Sequence, residues 1–282
     1  MFRSLLLAAL LAGPAAAQLP AIAADPPADR AHPAAMQVLH IPSGGVAING
    51  VAYTPAGAET HPVLLLLHGW PGNEKNLDLA QAARRAGWVA VTINYRGSWG
   101  SPGRFSFAHV LEDTQAALAY LRQPAVAARL GADPERIVLA GHSMGGWSTL
   151  LTAARDKRLL GAIAISAADM GALGTLPRAQ VVKTAAGNSE TLVTTPAAMA
   201  DELIARGRAW RLGDAAAGLA GTRLLVLTSD DGLAAPADAL VAAVRRGGNT
   251  WVAARHVATD HGWSDHRIAL TTIILDWLAT LR

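Results

Sequence analysis

Hydrophobic and polar residues alternate where the chain first looks folded. From Gln37 to Thr54 hydrophobic and polar residues alternate. Ser43-Gly44-Gly45 and Asn49-Gly50 interrupt this pattern. Alternation is typical of strands with one buried face, and glycine pairs mark the turns between such strands. A small antiparallel hairpin is therefore predicted to open the domain.

The next segment is almost entirely aliphatic. Pro62 to Leu67 reads Pro-Val-Leu-Leu-Leu-Leu, which predicts a strand covered on both faces, as in a parallel sheet. Strand and helix patterns then alternate along the rest of the chain. The further predicted strands are Trp88–Tyr95, Arg136–Ala140, Leu160–Ser166, Leu224–Thr228 and Trp251–His256. The predicted helices are Leu77–Ala86, Val110–Arg122, Met144–Arg155, Pro236–Arg246 and Asp265–Leu281. This order predicts an α/β fold with a mostly parallel central sheet of about eight strands flanked by helices.

One connection between predicted strands is too long for a simple alternation of strands and helices. Between Ala167 and Gly221 the chain takes about 50 residues to reach the next strand, whereas compact domains usually use about 2 to 6. Helical patterns around Gln180–Thr184 and Met199–Trp210 predict a small helical cap at about residues 168–221, above the carboxyl ends of the strands. Long insertions are usually functional. The alternative is a pair of outer helices without a role in substrate binding.

The N-terminus has the pattern of a secretory signal. Met1-Phe2-Arg3 precedes an apolar run from Leu5 to Leu11, and three alanines end at Ala17. That run is too short to span a bilayer. We predict a signal peptide at 1–17, a flexible leader at 18–35, and a periplasmic or secreted location. No later segment offers the roughly 18 consecutive apolar residues of a membrane span.

Composition narrows the class of protein. Of 282 residues, 51% are hydrophobic and 16% charged, which suits one packed domain at 36–282. Without Arg3 the chain has 24 minus 1, or 23, basic residues against 21 acidic ones. The basic residues are scattered or paired, so no nucleic-acid partner is expected. With no cysteine, disulfides, a cysteine nucleophile and thiolate metal sites are excluded.

The strongest chemical signal lies at residues 141–145. Arg136 to Ala140 is an apolar strand that runs directly into Gly-x-Ser-x-Gly, and a helical pattern follows. A sharp strand-to-helix turn presents its serine above the sheet, and the glycines let neighbouring chain pass close. Ser143 is therefore the predicted nucleophile. An ordinary glycine-rich turn would lack the strand before and the helix after.

With these residues the chain resembles the α/β-hydrolase family over nearly all of residues 37–282, closest to its prolyl-oligopeptidase-like and esterase branch. His68 to Gly72 resembles the family's oxyanion loop, and Asn94 to Ser98 resembles a segment of the prolyl-oligopeptidase-like branch. The resemblance implies the α/β-hydrolase fold and a Ser, acid, His triad in that order. A tetrahedral intermediate needs fixed N–H donors, and we assign the backbone N–H groups of Trp70 and Met144.

Two adjacent aspartates compete for the role of the acid. Asp230 and Asp231 follow the strand that ends at Thr228. In the resembling family an aliphatic residue often lies three positions after the acid, which selects Asp230 with Leu233. Asp231 stays open, because Pro236 lies further on than the family pattern expects.

The base is expected on the loop after the last strand. His261 lies in such a loop, whereas His256 falls inside the strand and His266 inside the final helix. In the expected mechanism His261 takes the proton of Ser143, Asp230 holds the imidazole tautomer, and water frees the acyl group.

No metal and no cofactor is predicted. The pairs Asp260-His261 and Asp265-His266 resemble metal ligands, but they are split between a loop and a helix, and His261 has a better role as the base. The expected partner is a small-molecule acyl substrate, and the sequence leaves the oligomeric state open.

Tryptophans near the motifs suggest an aromatic acyl pocket. Trp70, Trp99 and Trp263 are the candidates for substrate binding, since aromatic walls bury large apolar groups. Trp147 lies one helical turn after Ser143, and we expect it to pack beneath the helix.

Two charged residues are expected to be structural. Arg96 could bind a substrate carboxylate, but an arginine at the end of a buried strand more often pairs with a nearby acid. Asp113, on a predicted helix, is expected to belong to the scaffold in the same way.

Hydrolysis of carboxylic esters is the expected activity. The alternative is an oligopeptidase or aminoacyl amide hydrolase, which is less favoured because peptidases of the resembling branch carry a large N-terminal propeller and only about 20 residues precede the first strand here. A catalytically silent binding protein on the same fold is the alternative from another class.

Overall fold

The computed structural model describes residues 21–281, and the predicted signal peptide lies outside them. Eight strands form one sheet in the order β1-β2-β4-β3-β5-β6-β7-β8. Their bounds are β1 Ala35–Ser43, β2 Val46–Thr54, β3 His61–Leu67, β4 Val89–Ile93, β5 Ala132–His142, β6 Gly161–Ile165, β7 Leu224–Ser229 and β8 Val252–Val257. β1 and β2 form the predicted hairpin, β2 pairs antiparallel with β4, and all later pairings are parallel. The predicted fold class is confirmed.

Helices cover both faces of the sheet. In chain order, the helices of the described part from residue 77 onward are α1 Leu77–Arg85, α2 Phe107–Leu121, α3 Pro124–Leu130, α4 Met144–Ala153, α5 Met170–Leu173, α6 Arg178–Ala186, α7 Pro196–Arg206, α8 Ala234–Arg246 and α9 Arg267–Ala279. β3 shows why two layers form. Its fully buried leucines alternate between a core shared with α2, α4 and α8 and a core shared with α1 and α9. A strand buried on both faces must carry apolar residues at every position.

The long connection between β6 and β7 is helical, as its sequence pattern predicts. It contains α5, α6, α7 and three short 3₁₀ turns at Gly207–Trp210, Leu212–Ala215 and Ala217–Leu219. We call residues 168–221 the cap. The Glu202 carboxylate accepts hydrogen bonds of 2.9 Å from the backbone N–H groups of Phe107 and Ala108. Because these N–H groups open α2 and have no partner within the helix, the cap helix α7 completes the N-terminus of a body helix.

The segment before β1 touches the body. Ala21 is buried, and its carbonyl accepts a 2.5 Å hydrogen bond from Arg85 Nε. Asp25 lies 3.7 Å from the Arg84 guanidinium. None of the helices in residues 21–281 combines the length and apolar composition that crossing a bilayer requires.

Candidate active site

Ser143 occupies a strained turn at the end of β5. Its backbone has φ 59° and ψ −119°, a region that costs a non-glycine residue about 1 to 3 kcal/mol and is concentrated at functional sites. The turn is held on both sides. Ser143 N–H donates to the Ile165 carbonyl at 2.9 Å, and the Ser143 carbonyl accepts from Trp147 and Ala168. The strain is therefore imposed by the sheet and by α4 together.

The glycines around Ser143 are required by close contacts. A Cβ atom at Gly141 would overlap the Gly145 carbonyl, and one at Gly145 would overlap the Leu67 carbonyl at the end of β3. Neither clash can be relieved by a flexible side chain, because both contacts are with backbone. The predicted reason for the Gly-x-Ser-x-Gly pattern therefore holds in the structure.

The loop after β3 lies directly against Ser143. A Cβ atom at Gly69 would lie 2.9 Å from Ser143 Cβ and 3.4 Å from Ser143 Oγ. The next N–H along the chain is that of Trp70, and the first N–H of α4 is that of Met144. Neither N–H donates to an acceptor among the described residues. Both predicted oxyanion donors thus lie beside Ser143 in sequence or in space with their hydrogen-bonding capacity unused.

His261 is paired with Asp231, and the prediction of Asp230 as its partner is wrong. His261 Nδ1 and Asp231 Oδ2 are 2.7 Å apart, and 3% of the Asp231 side chain is exposed. Burial would raise the pKa of Asp231, but hydrogen bonds from His261, the Leu233 N–H and the Ser229 hydroxyl outweigh it and hold that pKa below its usual value. Asp231 is therefore an ionised, inward-pointing partner for the imidazole.

Asp230 faces the solvent edge instead. Its Oδ1 lies 2.9 Å from His256 Nε2, and 62% of its side chain is exposed. The Asp230 N–H donates to the Thr259 carbonyl beyond β8, so the segment after β8 lies against the residue that follows β7. The chain bends at these residues, and the adjacent Asp231 turns the other way, where its Oδ1 accepts the Leu233 N–H at 2.8 Å and its side chain is buried.

Asp231 is supported by a buried chain of hydrogen bonds. Ser229 lies at the end of β7, and its Oγ is 2.8 Å from Ser166 Oγ at the end of β6. Trp263 Nε1 donates to Ser166 Oγ at 3.0 Å. The chain therefore connects the loop that carries His261 to the residue that supports Asp231.

The prediction that Trp263 lines the substrate pocket is wrong. Its side chain is fully buried in the core shared with α1 and α9, with Leu79, Ile165 and Leu270. That core lies on the opposite face of the sheet from α4. Trp263 is an anchor of the His261 loop, because the size of the indole fits the core and its N–H finds Ser166.

His142, the neighbour of Ser143, connects that turn to the loop of His261. Its Nε2 donates to the main-chain carbonyl of His261 at 2.7 Å, and the two rings lie 4.5 Å apart between centroids. A carbonyl can only accept, so Nε2 carries the proton. No hydrogen bond joins Ser143 Oγ to His261 within residues 21–281; in serine hydrolases that bond often tightens only when substrate is bound.

Burial lowers the pKa of His142 to about 4, aided by the neighbouring His261, and burial likewise lowers the pKa of His68 to about 4. In the unfolded chain a histidine has a pKa near 6.5. Between about pH 6.5 and 4 the unfolded chain therefore binds protons that the folded chain does not, and stability falls as pH falls through that window.

We expect the protein to lose about 2 kcal/mol of stability for each of these two histidines between pH 7 and about pH 4.5. The measurement is thermal unfolding followed by circular dichroism at both pH values. His142→Gln should show a smaller loss than the wild type, whereas His40→Gln, at an exposed position, should match the wild type. Equal losses in His142→Gln and the wild type would contradict the prediction.

An aromatic cluster connects the oxyanion loop to the cap. Trp70 packs edge-on against Phe107 at 5.2 Å, Phe107 against Trp210 at 6.4 Å, and Trp210 against Trp147 at 5.5 Å. Trp147 is buried and donates its Nε1 to the Trp210 carbonyl, so it packs beneath the helix as expected. Trp70 keeps a buried Nε1 without a partner in the described part of the chain and stays the leading candidate for the pocket wall.

Trp99 lies half-buried beside the same loop. Its Nε1 donates to the Pro71 carbonyl at 2.8 Å, its N–H donates to Thr191 of the cap, and Lys75 Nζ lies 4.3 Å from its ring. These contacts join the oxyanion loop to the cap. Substrate binding by Trp99 stays a prediction.

Arg96 and Asp113 form a buried scaffold, as expected. Fully buried Asp113 accepts hydrogen bonds from Arg96 N and Nε at 2.7 Å and from the Ser43 hydroxyl at 2.5 Å. Tyr95, the neighbour of Arg96, donates its hydroxyl to the His68 carbonyl at 3.2 Å. His68 in turn bonds the Gly69 carbonyl through Nδ1. The ion pair thus helps to order the oxyanion loop.

Sequence reasoning missed three supporting residues: His142, Ser166 and Ser229. Each lies at the carboxyl end of a parallel strand, the edge where such sheets place their sites, and this position was the available signal. Among residues 21–281, no group of three or more His, Asp or Glu side chains is arranged to hold a metal ion.

The chain is similar to several known proteins. It is 32% identical over 127 residues to the quorum-quenching protein AidA of Acinetobacter baumannii, a match that spans 43% of this chain and 40% of that protein. Its fold superposes with a TM-score of 0.66 on EstE1, a thermostable carboxylesterase cloned from a metagenomic library, at 20% identity with 94% of each chain covered. It superposes with a TM-score of 0.64 on the acylaminoacyl peptidase of Pyrococcus horikoshii, at 17% identity, covering 87% of this chain and 41% of that one.

The profile of the alpha/beta hydrolase family matches residues 64–277. The matched region begins inside β3 and ends in α9, so it includes Ser143, Asp231 and His261 together with the strands that position them. The chain belongs to the alpha/beta hydrolase family.

Proposed function

We propose that the protein is a serine hydrolase that cleaves carboxylic esters through Ser143, His261 and Asp231. The observation that carries the proposal is the strained Ser143 turn, flanked by two unused N–H groups. A hydrogen-bonded imidazole–carboxylate pair is held next to that turn by His142. Nucleophile, oxyanion donors, base and base-orienting acid are the four parts that acyl transfer requires.

The mechanism follows from these positions. Ser143 Oγ attacks the acyl carbonyl carbon while its proton passes to His261 Nε2. The N–H groups of Trp70 and Met144 stabilise the negative oxygen of the tetrahedral intermediate. The imidazolium then protonates the leaving alcohol as its bond to the acyl carbon breaks. Water, deprotonated by His261, releases the acid from the acyl-enzyme, and Asp231 stabilises the imidazolium in both halves.

Ester substrates are favoured by the surroundings of Ser143. Trp70 is half-buried and is backed by the buried Phe107 and Trp210, so its ring offers an apolar wall for an acyl group beside the oxyanion loop. The cap packs onto that wall through Trp210 and Glu202. The fold shared with a carboxylesterase is consistent with this preference.

A fluorophosphonate probe tests the nucleophile. We expect the purified protein to be labelled and Ser143→Ala to remain unlabelled. Labelling that survives in Ser143→Ala, or no labelling of the wild type, would contradict the proposal.

A substrate panel tests the preference for esters. Short-chain, long-chain and aromatic esters are compared with aminoacyl amides of matched acyl groups, and kcat/KM is expected to be higher for the esters. Higher kcat/KM for the amides would instead support an aminoacyl hydrolase. Absence of turnover on both would support a silent binding protein.

We also propose that the chain is exported and cleaved after Ala17. The support is the sequence pattern of residues 1–17 alone. Expression of the full chain followed by cell fractionation and N-terminal sequencing should give a periplasmic or secreted protein that begins at Gln18. A cytoplasmic protein that retains Met1 would refute the proposal.

A further inference from the structure

Two buried side chains beneath the proposed site belong to residues with strained backbones. Ser166, the residue after β6, has φ 43°, and Trp263, on the loop that carries His261, has φ 59°. Residues other than glycine rarely adopt such values, and the strain persists only where surrounding contacts impose it. Trp263 Nε1 donates to Ser166 Oγ at 3.0 Å, and both side chains are buried. The two strained residues are therefore bonded to each other, and strain of this kind is concentrated at functional sites.

The segment around Ser166 also holds the nucleophile. The Ile165 carbonyl accepts from Ser143 N–H at 2.9 Å, and Ala168 N–H donates to the Ser143 carbonyl at 3.1 Å. Ser166 lies between these two contacts, and its own N–H donates to the Leu227 carbonyl of β7 at 2.8 Å. The segment therefore holds the Ser143 turn by backbone contacts and leaves the Ser166 side chain free for a different task.

The direction of each hydrogen bond in the buried chain that reaches Asp231 is fixed by its two ends. The Trp263 indole N–H can only donate, so the Ser166 oxygen accepts from it. At the other end the ionised Asp231 carboxylate can only accept, so the Ser229 hydroxyl donates to it. The single hydrogen of Ser229 is thus used, so across the 2.8 Å contact between the two serine oxygens Ser166 donates and Ser229 accepts. Every hydrogen in the chain therefore points toward Asp231.

We propose that Ser166 is a positioning residue, which acts on the acid through Ser229 while its backbone neighbours hold the nucleophile. Donors in series polarise one another, so the hydrogen that Ser166 gives to Ser229 strengthens the bond from Ser229 to Asp231. Together with the Leu233 N–H, which donates to Asp231 Oδ1 at 2.8 Å, this bond fixes the carboxylate so that Oδ2 meets His261 Nδ1. The kinetic consequences rest on the proposed esterase, whereas the state of Asp231 can be tested without turnover.

Kinetics of single and double variants test the proposal. We expect kcat of ester hydrolysis to fall at least about tenfold in Ser229→Ala, which removes the donor to the carboxylate, and about threefold in Ser166→Ala. KM should change little, because both side chains act on the acid. The double variant Ser166→Ala/Ser229→Ala should have the kcat of Ser229→Ala alone, because Ser166 acts only through Ser229. Two losses that multiply in the double variant would overturn the proposal.

A matched control separates positioning from packing. Ser148 is fully buried, and its Oγ lies 2.9 Å from Thr114 Oγ1 in a pair apart from the chain to Asp231. Ser148→Ala should lower the thermal midpoint as Ser166→Ala does, but it should keep the wild-type kcat. An equal kcat loss in both variants would reduce Ser166 to a structural role. Ser166→Cys fills the same space with a weak donor, so it should reproduce the kcat of Ser166→Ala even if the alanine variant does not fold.

The titratable groups that face Asp231 lie at the neighbouring strand ends. His261 is its partner at 2.7 Å, and the His142 ring lies 4.5 Å from that of His261 between centroids. Asp230 and His256 pair with each other on the exposed side. None of these groups is changed by the serine variants, so a change in the titration of Asp231 reports the loss of the hydrogen-bond chain.

Carbon-13 NMR titration of the side-chain carboxyls is the measurement without turnover, with Asp231 assigned from its absence in Asp231→Asn. Burial raises the pKa of Asp231, but hydrogen bonds, among them that of the Ser229 hydroxyl, outweigh it and hold the pKa below its usual value. That pKa should rise in Ser229→Ala, rise less in Ser166→Ala and stay unchanged in Ser148→Ala. No change in either of the first two would overturn the role of Ser166 even if the wild type hydrolyses esters. The expected changes in a protein without turnover would support the chain and refute only the esterase.

Discussion

Replacing Ser143 with alanine is expected to lower the kcat of ester hydrolysis about 10⁶-fold, the scale seen when a triad nucleophile is removed. The reason is that no other hydroxyl occupies the strained turn between the two proposed oxyanion donors. The fold should be retained, because the Ser143 hydroxyl forms no hydrogen bond within the described residues and its removal leaves no buried group unpaired. The measurement is steady-state kinetics on the best ester of the panel, together with the thermal midpoint.

The matched control is Ser189→Ala, which removes an exposed hydroxyl of the cap bonded only to the Ala186 carbonyl. Its kcat should equal that of the wild type. If Ser143→Ala retained a tenth of the wild-type activity, another nucleophile would have to be sought, and the assignment of the whole site would fail with it.

Replacing Asp231 with asparagine is expected to lower kcat about 10⁴-fold. The carboxylate accepts from His261 Nδ1 and so leaves Nε2 free to take the serine proton. An amide at this position can turn its NH₂ group toward Nδ1, which stabilises the wrong tautomer, and it cannot stabilise the imidazolium. KM should change less than kcat, because Asp231 acts on the base and not on the substrate.

The neighbouring residue provides a matched control for this prediction. Asp230→Asn is the same isosteric change one position earlier, at a side chain that is mostly exposed and paired with His256. Exposed pairs contribute about 0 to 1 kcal/mol, so kcat and the thermal midpoint should stay near the wild-type values. The opposite ranking of the two variants would return the role of the acid to Asp230.

Local pattern was sufficient for most of the architecture. The aliphatic run from 62 to 67 becomes the fully buried β3, and the alternating segment from 37 to 54 becomes the β1–β2 hairpin. These predictions succeed because a strand buried on one face alternates hydrophobic and polar residues, whereas a strand buried on both faces is apolar throughout. The prediction of the Gly-x-Ser-x-Gly turn succeeds for a similar reason, because close contacts with nearby backbone require its glycines.

Short helices were harder to predict. α3 lies in a segment from Pro124 to Leu130 that no pattern singled out, and α5 has four residues. Elements of this length carry too few periods for a hydrophobic stripe to stand out. Their stability comes from packing against α2, β5 and the cap and not from their own sequence.

The choice between Asp230 and Asp231 could not be made from spacing alone. Both follow the same strand, and they differ only in the direction of their side chains. That direction depends on the bend that follows β7 and on the histidines that meet it, His256 beside Asp230 and His261 beside Asp231. The role of Trp263 was hidden for a similar reason, because Ser166 and Trp263 are distant along the chain and meet only beneath the sheet.

The sequence by itself determined the order of strands and helices, the strand-to-helix turn at Ser143, the loop that carries His261 and the position of the cap, because these depend on periodicity and on contacts between near neighbours. Only the tertiary structure decided which aspartate faces His261, and which tryptophan is core and which lies by the oxyanion loop. Each of these depends on contacts between residues far apart in sequence, where side-chain direction is set by the packing of whole elements.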